Sequence, residues 1–175
     1  MDPRTIRTRQ LIVDSFNQLI RTTDFQQISV TLITEITHIN RATFYAHFAD
    51  KYELLDEVLN EVIGDAFGHC QTAQLDAPFI AQLFLALAHV HEQMHTSCRR
   101  GYDSFTSRIE EIAKVQMEQK IRHVEPSIDA LTGTMMTWAL YGAFTRWQLE
   151  KSSSETDIAE QAADVMQHLF SHKIG

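Results

Sequence analysis

The amino-acid sequence predicts an all-α protein. It reads as an N-terminal three-helix unit with a helix-turn-helix, followed by a C-terminal helical bundle. Three observations predict this. Only six Gly and three Pro interrupt 175 residues, so long helices with few breaks are expected. Apolar residues recur at the three- and four-residue spacing of an amphipathic helix along most of the chain. Residues 29–55 break that pattern into two short helices, a tight turn and the start of a longer third helix, which is the helix-turn-helix signature.

Asp2-Pro3 suits a helix start, with Pro at the first helical position. Ile6, Ile12, Val13, Phe16, Leu19 and Ile20 then form one apolar face through about Thr23. Arg4, Arg7 and Arg9 lie off that face or near its start, as phosphate contacts or as a solvated helix end. Phe25 and Ile28 close this helix onto the next two. Ser29 is an N-cap for a short helix with Val30, Ile33 and Ile36 at helical spacing. The pattern lapses at His38-Ile39-Asn40. Asn40 then caps a second short helix, Arg41 to about His47, with Phe44 and Phe48 on one face. Ile33, Ile36, Ile39, Phe44 and Phe48 are expected to complete the three-helix core.

Asp50-Lys51-Tyr52-Glu53 is a capping box, with an acceptor at the N-cap and a Glu three residues on that reaches back. A long helix follows to about residue 74, carrying Leu54, Leu55, Val58, Leu59, Val62, Ile63 and Phe67. Gln71–Pro78 reads as a break. Further helices are expected at about Ala77–Ser97, Ser104–His123, Ser127–Lys151 and Glu155–His172, with turns at Arg99-Arg100-Gly101, Glu125-Pro126 and Ser152–Ser154.

Residues 33–51 resemble the DNA-binding segment of the tetracycline-repressor (TetR) family of bacterial transcriptional regulators. Ile33, Ile39, Asn40, Arg41, Thr43, Phe44, Tyr45, Phe48 and Lys51 fall in register with its pattern. Thr-Phe-Tyr, a spaced Phe and a Lys opening the next helix are its specific part. Two positions depart: His38 stands where the family has a turn Gly, and Ala42 where a Gly is common before the Thr. The likeness covers about the first third of the chain. It implies a DNA-binding domain at 1–50 and a ligand-binding and dimerisation domain at 51–175.

The resemblance also implies that the short helix opening at Arg41 enters the major groove of double-stranded operator DNA. Asn40, Arg41, Thr43, Tyr45 and His47 face the DNA, with Ala42 among them, and Phe44 and Phe48 face inward. Arg41 suits guanine N7 and O6 or a phosphate. Thr43 suits a phosphate or a thymine methyl, and Tyr45 and His47 suit phosphates. Lys51, at a helix N-terminus where free N–H groups also attract anions, suits another phosphate. Thr31 and Thr34 add backbone contacts.

Charge is distributed to match. The net charge is −8. Residues 1–51 carry six Lys/Arg against five Asp/Glu, and residues 52–175 carry nine against eighteen, so the first part is +1 and the rest −9. Such asymmetry fits nucleic-acid contact through one end only, as well as an ordinary acidic soluble protein, and charge alone does not decide between them. Two Cys make no disulfide framework, Met1–Arg9 is no secretory signal, and the apolar run Phe79–Val90 is too short to span a bilayer. A cytoplasmic protein with no membrane contact is expected.

The helix near 127–151 is apolar nearly all round, from Leu131 and Met135 through Trp138 to Trp147. It needs cover on every side, which a twofold partner supplies by an isologous four-helix bundle with the last helix. A homodimer is therefore expected, as the family likeness also implies. In that family the body binds a small molecule. Candidate lining residues are Phe84, His91, Met94, His95, Tyr102, Phe105, Met135, Trp138 and Tyr141, which suit an apolar effector or an ordinary core.

His91, His95 and Cys98 share one helix face at metal-ligand spacing, but a fourth ligand is lacking, so no metal or other cofactor is expected. No Gly-rich phosphate loop, nucleophile elbow or zinc-protease motif is present, and no spacing marks a catalytic group. The sequence therefore reads as a non-enzymatic, DNA-binding regulator, a repressor released by ligand. The competing reading is a dimeric helical co-regulator or interaction module without effective DNA binding.

Overall fold

A computed structural model of the protein describes residues 2–71, 74–94, 104–151 and 153–170. Among these, eight helices and no strand occur: α1 (Pro3–Thr22), α2 (Val30–Thr37), α3 (Arg41–Tyr45), α4 (Lys51–Gly68), α5 (Ala77–Met94), α6 (Ser104–Val124), α7 (Ala130–Glu150) and α8 (Glu155–Leu169). Contacts group the chain into two compact units. One holds residues 1–62 and 92–109, the other 63–91 and 110–175, and α4, α5 and α6 each have residues in both.

The helices begin where the sequence offers an acceptor for orphan N–H groups. Asp2 accepts from the Arg4 amide with Pro3 behind it, and Ser29 accepts from Leu32. Asp129 and Ser154 do the same for Thr132 and Asp157. The cap at Asp129 sets α7 to begin three residues later than expected, because Ser127 instead bonds back to the Glu125 carboxylate. At α4 the Asp50 carboxylate takes the Tyr52 and Glu53 amides, while Glu53 reaches the Ala49 amide, one residue further than a simple capping box. α4 ends at Gly68 rather than near residue 74, and the Cys70 amide closes a turn onto the Phe67 carbonyl.

The first unit is held by phenylalanines. Phe16, Phe25, Phe44 and Phe48 are all buried, and Phe25 touches the rings of Phe16, Tyr52 and Phe105. Burying one such side chain contributes about 1.5–3 kcal/mol. That term decides whether α3 forms at all, since five residues cannot sustain a helix alone. Phe44 and Phe48, with ring centroids 5.9 Å apart, anchor it. Two expected core positions are corrected: Ile36 is 45% exposed and Ile6 is 52% exposed. Ile36 sits on the outer side of α2, whose inner side is filled by Ile33, Thr34 and Thr37. Ile6 lies in the first turns of α1, before its buried stretch starts at Ile12. Charged clasps complete the unit. Arg9 pairs with Glu57 and lies over the Phe48 ring, and Arg108 pairs with Asp56 at 2.8 Å.

In the second unit α7 and α8 pack on each other, burying Met136, Leu140, Phe144 and Trp147 on one and Ala159, Ala162, Ala163 and Met166 on the other. Small residues on α8 let the bulky face of α7 approach. Trp147 donates its indole N–H to the Ser153 carbonyl at 3.0 Å. The opposite side of α7 is apolar but uncovered: Leu131, Met135, Trp138 and Leu149 are exposed, as are Val165 and Leu169 on α8. Lys114 of α6 lies over the Trp138 ring at 3.5 Å.

Candidate nucleic-acid interface

The candidate interface is built on α2, α3 and the turn between them. That turn has a defined geometry. His38 is left-handed at φ 53, ψ 35; its amide bonds the Glu35 carbonyl at 3.4 Å, and the Ile39 amide bonds the Thr34 carbonyl at 3.1 Å. These paired bonds are the Schellman helix stop, in which Gly or Asn ordinarily takes the left-handed position. His38 fills it at a conformational cost that Gly avoids. Ile39, next in the chain, is half-buried, and Asn40 returns to an extended conformation and caps α3.

Asn40 makes two bonds through one oxygen, accepting the Thr43 amide at 2.7 Å and the Thr43 hydroxyl at 2.9 Å. This locks the first turn of α3. It also spends the single hydroxyl proton of Thr43, so donation to a phosphate requires that hydroxyl to rotate away from Asn40. Asn40, Arg41, Ala42 and Tyr45 are exposed, and Thr43 and His47 are half-buried. Tyr45 packs its ring edge-on against Phe44 at 5.5 Å, which fixes the ring while leaving 54% of the residue exposed. Arg41 donates to the Thr31 hydroxyl across α2 and α3. A guanidinium has five donors, so this bond aims Arg41 without exhausting it. Helix α3 ends at Tyr45, two residues short of expectation, and His47 lies in the following turn.

Lys51, Thr34 and Arg9 each have partners within the protein. Lys51 donates from Nζ to the carbonyls of Phe25 and Ile28 at 2.9 and 2.8 Å and lies over the Phe25 ring. Burial pushes its amine below the usual lysine range, opposed by the attraction of Asp24. Thr34 is buried and donates to the Thr31 carbonyl. Arg9 is committed to Glu57 and Phe48, whereas Arg4 and Arg7 are exposed. Sequence spacing could not show the Lys51 and Arg9 partners, which lie 23 to 48 residues away.

The effector candidates divide. His95, Tyr102 and Cys98 lie outside the described residues. Met135 and Trp138 are 55% and 61% exposed, so they do not line an interior space; the buried stripe of α7 is Gly133, Met136, Thr137, Leu140, Tyr141 and Phe144. Phe105 stacks on Phe25 in the first unit, and Met94, also in that unit, is buried. Phe84, His91 and Tyr141 do come together in the second unit. His91 Nε2 and the Tyr141 hydroxyl are 3.2 Å apart, and the rings of Phe84, Phe144 and Trp147 complete an aromatic cluster. Beside them in sequence, Thr137 is 1% exposed and its hydroxyl has no hydrogen-bond partner among the described residues. Thr134 and Thr145 on the same helix bond back to carbonyls four residues earlier; Thr137 does not. An open groove of about 640 Å³ on α6, lined by Val115, Glu118, Gln119, Arg122, His123 and Pro126, contains none of the expected residues. Among the described residues no group of three or more His, Cys, Asp or Glu could hold a metal ion, and no helix is long and apolar enough to cross a membrane.

No family model matches the chain. Over 74 residues, 42% of its length, it is 34% identical to an uncharacterized HTH-type transcriptional regulator, YxbF, of Bacillus subtilis; the match spans 20% of that relative's length. The solved structure of the fatty acid degradation regulator FadR from Bacillus halodurans is similar over 95% of both chains, with a TM-score of 0.54 at 15% identity. That second likeness shows the all-helical fold. The first gives part of the chain a relative that is named a helix-turn-helix regulator, and neither similar protein is named as an enzyme.

Proposed function

We propose that the protein is a DNA-binding transcriptional regulator. In this reading a homodimer places two copies of α3 in successive major grooves, about 34–36 Å apart, on a near-palindromic operator. The observation that carries it is the exposed row Asn40, Arg41, Ala42 and Tyr45 on a short helix that is capped at Asn40 and anchored from behind by Phe44 and Phe48. The likeness of part of the chain to an HTH-type regulator supports the same reading. Domain 1–50 binds DNA, domain 51–175 dimerises and receives an effector, and the protein works in the cytoplasm as a TetR-like repressor.

Dimerisation is supported by the uncovered residues Leu131, Met135, Trp138 and Leu149 of α7 with Val165 and Leu169 of α8. Leu131, Met135 and Trp138 follow four- and three-residue steps, the spacing of a helix seam. An apolar row of this length is unusual on a monomer. An effector is supported by the His91–Tyr141 pair within its aromatic cluster and by the unpartnered Thr137 hydroxyl. Those residues suit a small, largely apolar molecule with one polar group. Its binding would shift the dimer to a state that fits the operator less well, and the two ligands would then weaken each other reciprocally.

The experiment is an electrophoretic shift with DNA flanking the protein's own gene, using wild type and Arg41→Ala. A palindromic fragment retarded at moderate salt by wild type, and weakly or not at all by Arg41→Ala, supports the reading. If no fragment shifts, the protein acts as an interaction module instead.

A further inference from the structure

Lys51 opens α4, and a cation there is in the wrong place for the helix itself, because the N-terminal end of a helix dipole is positive. Something else must hold it. Its Nζ donates to the Phe25 and Ile28 carbonyls at 2.9 and 2.8 Å, and it lies 4.4 Å from the centroid of the Phe25 ring and 5.7 Å from that of Tyr52. Two of its three ammonium protons are therefore spent inside the protein. The two carbonyls bracket one turn, closed by the Ile28 amide onto the Phe25 carbonyl at 3.2 Å. Ile28 directly precedes Ser29, the N-cap of α2. Phe25 is the ring on which Phe16, Tyr52 and Phe105 converge.

We infer that Lys51 is a positioning residue, whose ammonium pins the 25–28 turn to the first turn of α4 and so sets the pose of α2 and α3, and that it does not hold a DNA phosphate. Both roles need a lysine at a helix start, so residue type alone cannot separate them. The geometry does: a phosphate would have to compete with two carbonyls and an aromatic face that the half-buried lysine already contacts. Partial burial lowers the pKa of the amine, and the attraction of the Asp24 carboxylate opposes that shift. The functional consequence rests on the DNA-binding reading; the pin itself does not.

Lys51→Met keeps the stem and removes the charge. Operator affinity is measured against salt between about 50 and about 200 mM, where each lost phosphate contact lowers the slope by about 0.9. Amide hydrogen exchange of residues 26–32 is measured on the free protein. The expected result is affinity weaker by on the order of tenfold at every salt concentration, the loss of charged hydrogen bonds, with an unchanged slope. The 26–32 amides lose protection. A shallower slope overturns the inference, as does unchanged affinity or unchanged exchange. If wild type retards no DNA, the regulator reading fails and the exchange result still decides the pin. Should Lys51→Met not fold, Lys51→Arg divides the roles equally well. It keeps a charge for a phosphate, but its planar fork cannot replace a compact ammonium between two carbonyls. Weakened affinity at unchanged slope supports the pin, and full affinity overturns it.

Discussion

The guanidinium of Arg41 donates to the hydroxyl of Thr31, so α3 and α2 share a polar tie on their outer side. In the proposed DNA-binding reading, Arg41 is thus aimed before DNA arrives, which lowers the cost of ordering it on binding.

Arg41→Ala is expected to weaken operator binding by about 1–3 kcal/mol and to relax preference at one base pair if Arg41 reads a guanine. Thr31→Val leaves the guanidinium in place but unaimed, and its loss should be smaller, about 0.5–1.5 kcal/mol. Titration against a panel of single-base operator variants checks both. A loss that is uniform across the panel, with a lower salt slope, would reassign Arg41 to a phosphate.

His38→Gly should stabilise the free protein by about 1 kcal/mol, because Gly takes the left-handed turn without the clash of a Cβ, less the entropy that Gly adds to the unfolded chain. Thermal unfolding should show a midpoint higher by about 2–4 °C. A lower midpoint would mean that the imidazole makes a stabilising contact in this turn.

Charging the outer stripe should separate the subunits. Trp138→Glu with Val165→Glu places carboxylates at two exposed apolar positions, leaving the buried residues of α7 and α8 untouched. Light scattering should give the monomer mass with helical content retained by circular dichroism, and operator affinity should collapse because two linked heads become one. A wild-type protein that is monomeric at working concentration would remove the proposed dimer.

Thr137→Val should be neutral to stabilising. The Thr137 hydroxyl is buried without a partner, and such a group costs about 1–3 kcal/mol that an isosteric methyl avoids. Chemical denaturation checks it. Destabilisation by more than about 1 kcal/mol would show that the hydroxyl is satisfied, for instance by an ordered water.

Most of the helix-turn-helix was legible in the sequence because its determinants are local. Ser29, Asn40 and Asp50 are caps within three residues of what they cap, and Phe44 and Phe48 sit one helical turn apart. The outward placement of Arg41 and Tyr45 is what the family resemblance implies, and both are exposed. What was not legible depends on partners distant in sequence. The Phe25 and Ile28 carbonyls that Lys51 contacts are not announced by anything in 51–55, and Arg9 could not be assigned without Glu57. Ile36 was placed in the core because periodicity gives the spacing of an apolar face and not its width, and the α2 face proved narrower than its composition. On α7, apolar residues all round gave no phase, so Met135 and Trp138 could be set inside or outside only once α8 had chosen a side.

The same choice sorts the two indoles. Trp147 is 8% exposed and hydrogen-bonded to Ser153, while Trp138 stands on the outer stripe. Intrinsic emission therefore carries two separable signals: a blue component from Trp147 that persists until the second unit melts, and a redder one from Trp138 that shifts when the stripe leaves water. Replacing Trp147 with Phe would leave a single-colour reporter of self-association, readable on dilution without any label.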